Sequence, residues 1–247
     1  MAAPFANELL AINAKTGCPN CADKDSVASV AIAAGVLTEL GITASGSHTG
    51  QSAGSEFEKR VAGHLEKELP LIAPDRPWVV FGKNGKKQIS DFLQYEHLGH
   101  LKRVMDADET GLLRVEIGAD YLISPDVTVG LAIGTGLPFL HAAVSCKWTI
   151  RSDRVQNIRH EGTILTRHRR GRQPHIVAVT AEPLPSRLAA IARGTGEVDA
   201  VYHIALPELE KAVAEYDDPG QLECLGELLD QGRLRDFQDL APTLALF

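Results

Sequence analysis

The sequence lacks any apolar run approaching the roughly 18 residues that a membrane-spanning helix needs. Its opening, "MAAPFANELLAINAKTG", has no basic start followed by an apolar block, so no secretory leader is expected. Both absences point to a soluble, cytoplasmic protein. No internal repeat and no long Gly/Ser- or Pro-rich linker interrupts the 247 residues, so one domain spanning residues 1–247 is expected. Cysteines number four. Cys18 and Cys21 have redox or half-zinc-site spacing, but no second CxxC or CxxH pair follows to complete four ligands. The bland reading is two small thiols in a loop. An overall positive charge is lacking too: the formal net charge is −7.

That negative total conceals an uneven distribution. From Lys147 to Arg172 there are eight Lys/Arg and two acids, a local excess of +6 that leaves −13 for the remainder. An acidic protein with one basic stripe can still offer a positive face to a polyanion. The same run also reads as a solvated helix face.

Strand and helix patterns alternate along the chain. Residues 26–40 are Ala-rich and helical, and 43–57 read as a Gly/Ser loop. Glu56–Leu69 carries Phe57, Val61 and Leu65 at four-residue spacing, an amphipathic helix that Pro70 is expected to stop. "PWVVFG" (77–82) predicts a strand, and residues 90–108 a helix. "DYLISPDVTVG" (120–130) predicts two short strands, or one bent strand interrupted by Pro125. In "HAAVSCKWTIR" (141–151), alternation puts Ser145, Lys147 and Thr149 on one strand face and Cys146, Trp148 and Ile150 on the other. A helix is expected over about 152–169, strands at 175–182 and 198–206, and two C-terminal helices around 207–215 and 221–230, broken at Pro219-Gly220. This order implies an α/β fold with a central mixed β-sheet flanked by helices.

Three residues carry the candidate chemistry. Asp126 follows Pro125 at a strand boundary, Lys147 lies on the next strand, and Glu161 follows fourteen residues later on a helix. Carboxylate oxygens suit Mg²⁺, which prefers hard ligands and keeps several waters. A lysine beside the ion can position water and neutralise developing phosphate charge. Together they suit metal-assisted phosphodiester hydrolysis. Taken singly, Asp126 also reads as a turn residue, Lys147 as a snorkelling strand lysine, and Glu161 as a partner for Arg154 or Arg159. Arg151, Asp153 and Arg154 sit where strand passes into helix. Arginine donates twice to guanine O6 and N7, and aspartate accepts from the cytosine amino group, so this trio suits a site rich in G·C pairs. Alternatively, Asp153 caps the helix and the arginines face solvent.

"SCKWTIRSDRVQN", "PHIVAVTAEPLPSR" and "GTGEVDAVYHIALPELE", with the shorter "GQSAGSEFE" and "YLISPD", resemble the NgoMIV-type restriction endonucleases, in the CCGG-recognising group of the PD-(D/E)XK nuclease superfamily. The resemblance covers most of the chain and implies a restriction-endonuclease-like fold. It implies Asp126 as the shared metal ligand, Lys147 as the catalytic lysine with Ser145 beside it, and Glu161 in place of the acid usually found two residues before the lysine. Glu58 looks like a further acid of the site, ahead of Glu56, and the Cys146 backbone carbonyl a further ligand to Mg²⁺. Arg151, Asp153 and Arg154 fall on the readers of the inner CCGG. Asp23, Gln51 and Arg187 match positions at the outer G·C pair. Asp25 stands where the family has a serine, which puts the outer pair in doubt.

The implied activity is cleavage of double-stranded DNA at GCCGGC after the first G, leaving a 5′ CCGG overhang. The implied assembly is a homodimer, with a cognate DNA methyltransferase as functional partner. Only eighteen residues separate Pro125-Asp126 from Ser145, fewer than the family has, and the missing segment looks to help join two dimers into a tetramer. Three rivals remain: a same-fold nuclease with a different CCGG-containing target or a repair role, a DNA-binding protein without catalysis, and, more distantly, a redox or zinc role for Cys18 and Cys21.

Overall fold

A computed structural model describes the backbone of residues 2–43, 45–46, 50–118, 120–194 and 196–246, with side chains outside 45–46 and 50–52. In chain order the elements are α1 (Ala6–Leu9), β1 (Ile12–Asn13), α2 (Val27–Glu39), β2 (Ser45–Gly46), α3 (Gly50–Ile72), β3 (Trp78–Phe81), α4 (Glu96–Asp106), α5 (Leu112–Ile117) and β4 (Val127–Leu131). There follow β5 (Phe139–Lys147), α6 (Ser152–His168), β6 (His175–Thr180), α7 (Pro185–Ala192), β7 (Ala200–His203), α8 (Leu206–Tyr216), α9 (Pro219–Asp230), β8 (Leu234–Asp236) and α10 (Leu240–Leu246).

Among the described residues, six strands form one sheet in the order β3-β4-β5-β6-β7-β8. The pairs β3–β4 and β4–β5 are antiparallel; β5–β6, β6–β7 and β7–β8 are parallel. The sheet is therefore mixed and flanked by helices, as the alternating patterns predict. β5 is buried along nearly its whole length, the signature of a central strand covered on both faces.

One face of the sheet carries the larger core. Val144, Cys146, Val177 and Val201 pack there with Ile32, Phe57, Val61, Leu65 and Leu209 of α2, α3 and α8. On the other face Ala143, Leu140 and Ile176 meet Ile89, Phe92, Tyr95 and Leu165. Between β4 and β5 the register shifts: Val129 opposes Ala142 while Gly130 opposes Leu140, leaving His141 as an extra residue. Beyond that bulge, alternation puts Ala143, Ser145 and Lys147 on the face of the smaller core.

Several boundaries depart from the sequence patterns. The Gly/Ser stretch expected as a loop is helical from Gly50, because buried Ala53 and Phe57 anchor that turn on the core. Pro70 lies inside α3, near its end, where few further helical bonds depend on it. β5 ends at Lys147, since buried Trp148 and Ile150 then turn into the larger core. Among the described residues, the 120–130 stretch supplies a single strand that starts after Pro125-Asp126. Residues 90–108 divide into short 3-10 turns and α4. Pro219 is the first residue of α9 rather than its break, as proline's fixed φ permits.

Candidate active site and DNA-reading surface

Asp126 immediately precedes β4 and is 7% exposed. Its Oδ2 accepts the Cys146 N–H at 2.9 Å and the Lys147 ammonium at 2.5 Å. Neighbouring antiparallel strands thus bring carboxylate and lysine together, although twenty-one residues separate them. Burial alone would lower the Lys147 pKa, but Asp126, with Glu161 behind it, more than reverses that and the net direction is upward. The pairing with Asp126 therefore favours the ammonium form of this lysine.

Glu161 reaches the same place from the middle of α6. Its carboxylate accepts the Ser145 hydroxyl at 3.0 Å, so the serine two residues before the lysine links helix to strand. Burial raises its pKa, opposed first by Lys147. Next to Glu161, Gly162 lets α6 pack closely on the loop before β7, where an added Cβ would lie 2.2 Å from the Glu197 carbonyl oxygen.

Glu58 projects from α3. Burial raises its pKa, and the Asp126 charge adds to the rise, which ties Glu58 electrostatically to the site. Glu56 behaves differently: it pairs with Arg60 at 2.9 Å and lines a separate groove of about 820 Å³ with Glu8 and Lys59. Glu58 is accordingly the acid associated with Asp126. Cys146 contributes its peptide beside Asp126, while its thiol lies in the larger core and burial pushes it well up.

Sequence patterns missed one member. Lys86, on the turn after β3, donates to Asp126 Oδ1 at 3.2 Å. The lysine-rich "GKNGKK" (82–87) was its available signal. Neither Arg154 nor Arg159 pairs with Glu161 as the alternative reading allowed: Arg154 holds Thr149, and Arg159 donates to the Ala190 carbonyl at 2.9 Å.

The carboxylates of Asp126, Glu161 and Glu58 are chemically right for a hard divalent cation. Among the described residues, however, no three His, Cys, Asp or Glu side chains converge into a closed cluster. An ion held here would take the rest of its coordination from water or a phosphate oxygen, as Mg²⁺ commonly does.

The residues expected to contact bases, Arg151, Asp153 and Arg154, lie at the start of α6, a few residues beyond Lys147 in the chain. Arg151 occupies the N-cap of α6 without a side-chain cap, and Arg151 and Asp153 are exposed. The capping role considered for Asp153 is thus not what it does. Arg154 is half-buried, its guanidinium donating to the Thr149 carbonyl at 2.6 Å and hydroxyl at 2.8 Å. Arg187, on α7, pairs with Asp23 at 2.5 Å. That bond, above all other causes, lowers the Asp23 carboxyl pKa. Asp23 and Arg187 share a cleft of about 540 Å³ with Arg151 and Ser152. Asp25 is exposed and gives its backbone N–H to Asp23 at 3.2 Å. The Gln51 side chain lies outside the described residues.

A second residue was missed. Glu182 closes β6's apolar run and is fully buried. Its carboxylate accepts the Ile150 N–H at 2.7 Å and the Leu184 N–H at 3.2 Å, and lies 3.9 Å from Arg187. Burial pushes its pKa up to about 7 against those donors. One acid so ties the residue before Arg151 to the start of α7.

The model of the NgoMIV restriction enzyme family matches residues 5–133 and 131–246. The type II restriction enzyme NgoMIV of Neisseria gonorrhoeae is 38% identical over 269 aligned positions, covering 96% of this chain and 93% of that protein. The chain belongs to the NgoMIV restriction enzyme family. It is accordingly a site-specific deoxyribonuclease of the type II restriction class. Among solved structures it is similar to Bse634I with cognate DNA (15% identity, TM-score 0.41, 87% of this chain and 92% of that one). It is also similar to the pre-specific BsaWI–DNA complex (15% identity, TM-score 0.36, 73% and 64%).

Cys21 is buried in the larger core, where burial pushes its thiol up to about 12, and Cys18 donates its thiol to the Thr16 carbonyl at 3.6 Å. No helix among the described residues is long and apolar enough to cross a membrane.

Proposed function

We propose that the protein cuts double-stranded DNA at GCCGGC after the first G, leaving 5′ CCGG overhangs, with Mg²⁺ as cofactor. The observation that carries the catalytic half is the convergence of Asp126, Lys147, Ser145 and Glu161 where the start of β4, the end of β5 and the middle of α6 adjoin. Asp126, Glu161 and the Cys146 carbonyl, with Glu58 in support, would hold the cation. When bound, such an ion supplies Lewis acidity and lowers the pKa of water.

Lys147, kept charged by Asp126, orients the attacking water and stabilises charge that develops on the phosphate. Attack in line with the leaving 3′ oxygen inverts phosphorus and leaves the 5′-phosphate. Glu161, held by Ser145, fixes the depth at which α6 meets the backbone. Arg151, Asp153 and Arg154 then face the inner CCGG, with arginine reading guanine and Asp153 reading the cytosine amino group. Asp23, Gln51 and Arg187 serve the outer G·C pair, beside Asp25.

A palindromic site read by identical half-sites calls for a two-fold dimer. The shortened link between β4 and β5 supports a dimer in which the contact that would join two dimers is weak or missing; the two family-matched segments meet at residues 131–133, in that link. A cognate methyltransferase would protect the host's own sites, and a cytoplasmic location suits that task.

The test pairs cleavage with binding. Lys147→Ala and Asp126→Ala should each abolish cutting in Mg²⁺ while keeping specific binding in Ca²⁺. Near wild-type cutting by either variant would overturn the assignment.

A further inference from the structure

We infer that Lys86 is a gate on the metal site: it neutralises Asp126 in the absence of DNA, competes there with the divalent ion, and transfers to the DNA phosphate when DNA binds. This rests on the reading of Asp126 as a metal ligand. Both carboxylate oxygens of Asp126 are engaged, Oδ2 by Cys146 N–H and Lys147, Oδ1 by Lys86. An ion at Asp126 Oδ1 would share that oxygen with the Lys86 ammonium and be repelled by its charge.

The two lysines are not equally free to leave. Lys147 is anchored on a central strand with its side chain 18% exposed. Lys86 belongs to a surface turn and its side chain is 37% exposed. The base of that turn is fixed: a Cβ on Gly82 would come 2.7 Å from the Ala62 methyl of α3, so strand end and helix are in close contact there. Lys83 bonds Ser55 and Lys87 lies over the Phe81 ring at 5.4 Å, which leaves Lys86 as the member aimed at the carboxylate. Charge points the same way. Asp126, Glu161 and Glu58 against Lys147 and Lys86 leave a formal charge of −1, where the site without Lys86 would carry −2, so this lysine weakens the attraction for a dication.

Manganese binding to the full chain without DNA tests this, measured by calorimetry for wild type, Lys86→Met, Lys86→Arg and Asp126→Asn. Removing a partly screened charge from the ligand should tighten Mn²⁺ binding on the order of tenfold in Lys86→Met. Lys86→Arg should stay near wild type, and an uncleavable cognate duplex should narrow the gap. Lys86→Met binding no tighter than wild type overturns the gate while leaving Asp126 as ligand. If instead Asp126→Asn binds Mn²⁺ as wild type does, the ligand reading itself fails and the gate with it.

Discussion

At Asp126, one carboxylate collects a peptide N–H and two ammonium groups, and that crowding sets the character of the centre. Glu182 is a second such collecting point, since its two oxygens accept N–H donors from Ile150, just before Arg151, and from Leu184, at the start of α7. A glutamine would keep the shape but turn an amide donor toward one of those N–H groups. Leaving a buried donor unmatched costs about 1–3 kcal/mol. Glu182→Gln should therefore lower stability by about that amount in denaturant melts. It should also reduce the ratio of cognate to single-mismatch cleavage, because the backbone before Arg151 and the start of α7 lose their common tie. Unchanged discrimination would show that Glu182 serves stability alone.

The element that carries most of this is α6, which begins just after Arg151 and turns Glu161 inward near its middle. Its packing on the loop before β7 depends on Gly162. Gly162→Ala would drive a methyl against the Glu197 carbonyl, an overlap of the kind that costs about 1–3 kcal/mol. The expected result is a lowered melting temperature together with a cleavage rate that falls more than DNA binding does, since Glu161 is displaced while Arg151 and Asp153 stay exposed. Equal losses in both would place the damage elsewhere. Alternation in β5 made the shared face of Ser145 and Lys147 legible from sequence, as it did the burial of Cys146, Trp148 and Ile150. Strand and helix order suggested that Asp126, Lys147 and Glu161 could meet, and the resemblance gave each its role. The start of α3 was not legible, because Gly and Ser favour loops and only tertiary burial of Ala53 and Phe57 overrides them. Lys86 and Glu182 escaped notice for a related reason: their importance arises from partners 40 and 32 residues away.

Across the whole molecule, an acidic chain places eight of its 25 Lys and Arg between Lys147 and Arg172, the segment that also holds Glu161. Such a locally basic segment suits a polyanion despite the net negative charge. With the β4–β5 link this short, light scattering with a cognate duplex should give two chains per DNA, and a tight tetramer would contradict the dimer.

The most direct measurement is digestion of a plasmid of known sequence by the purified protein in Mg²⁺, followed by sequencing of the fragment ends. The account predicts ends confined to GCCGGC, each with a four-base 5′ CCGG overhang. Ends at other sequences, or specific binding without cleavage, would contradict it.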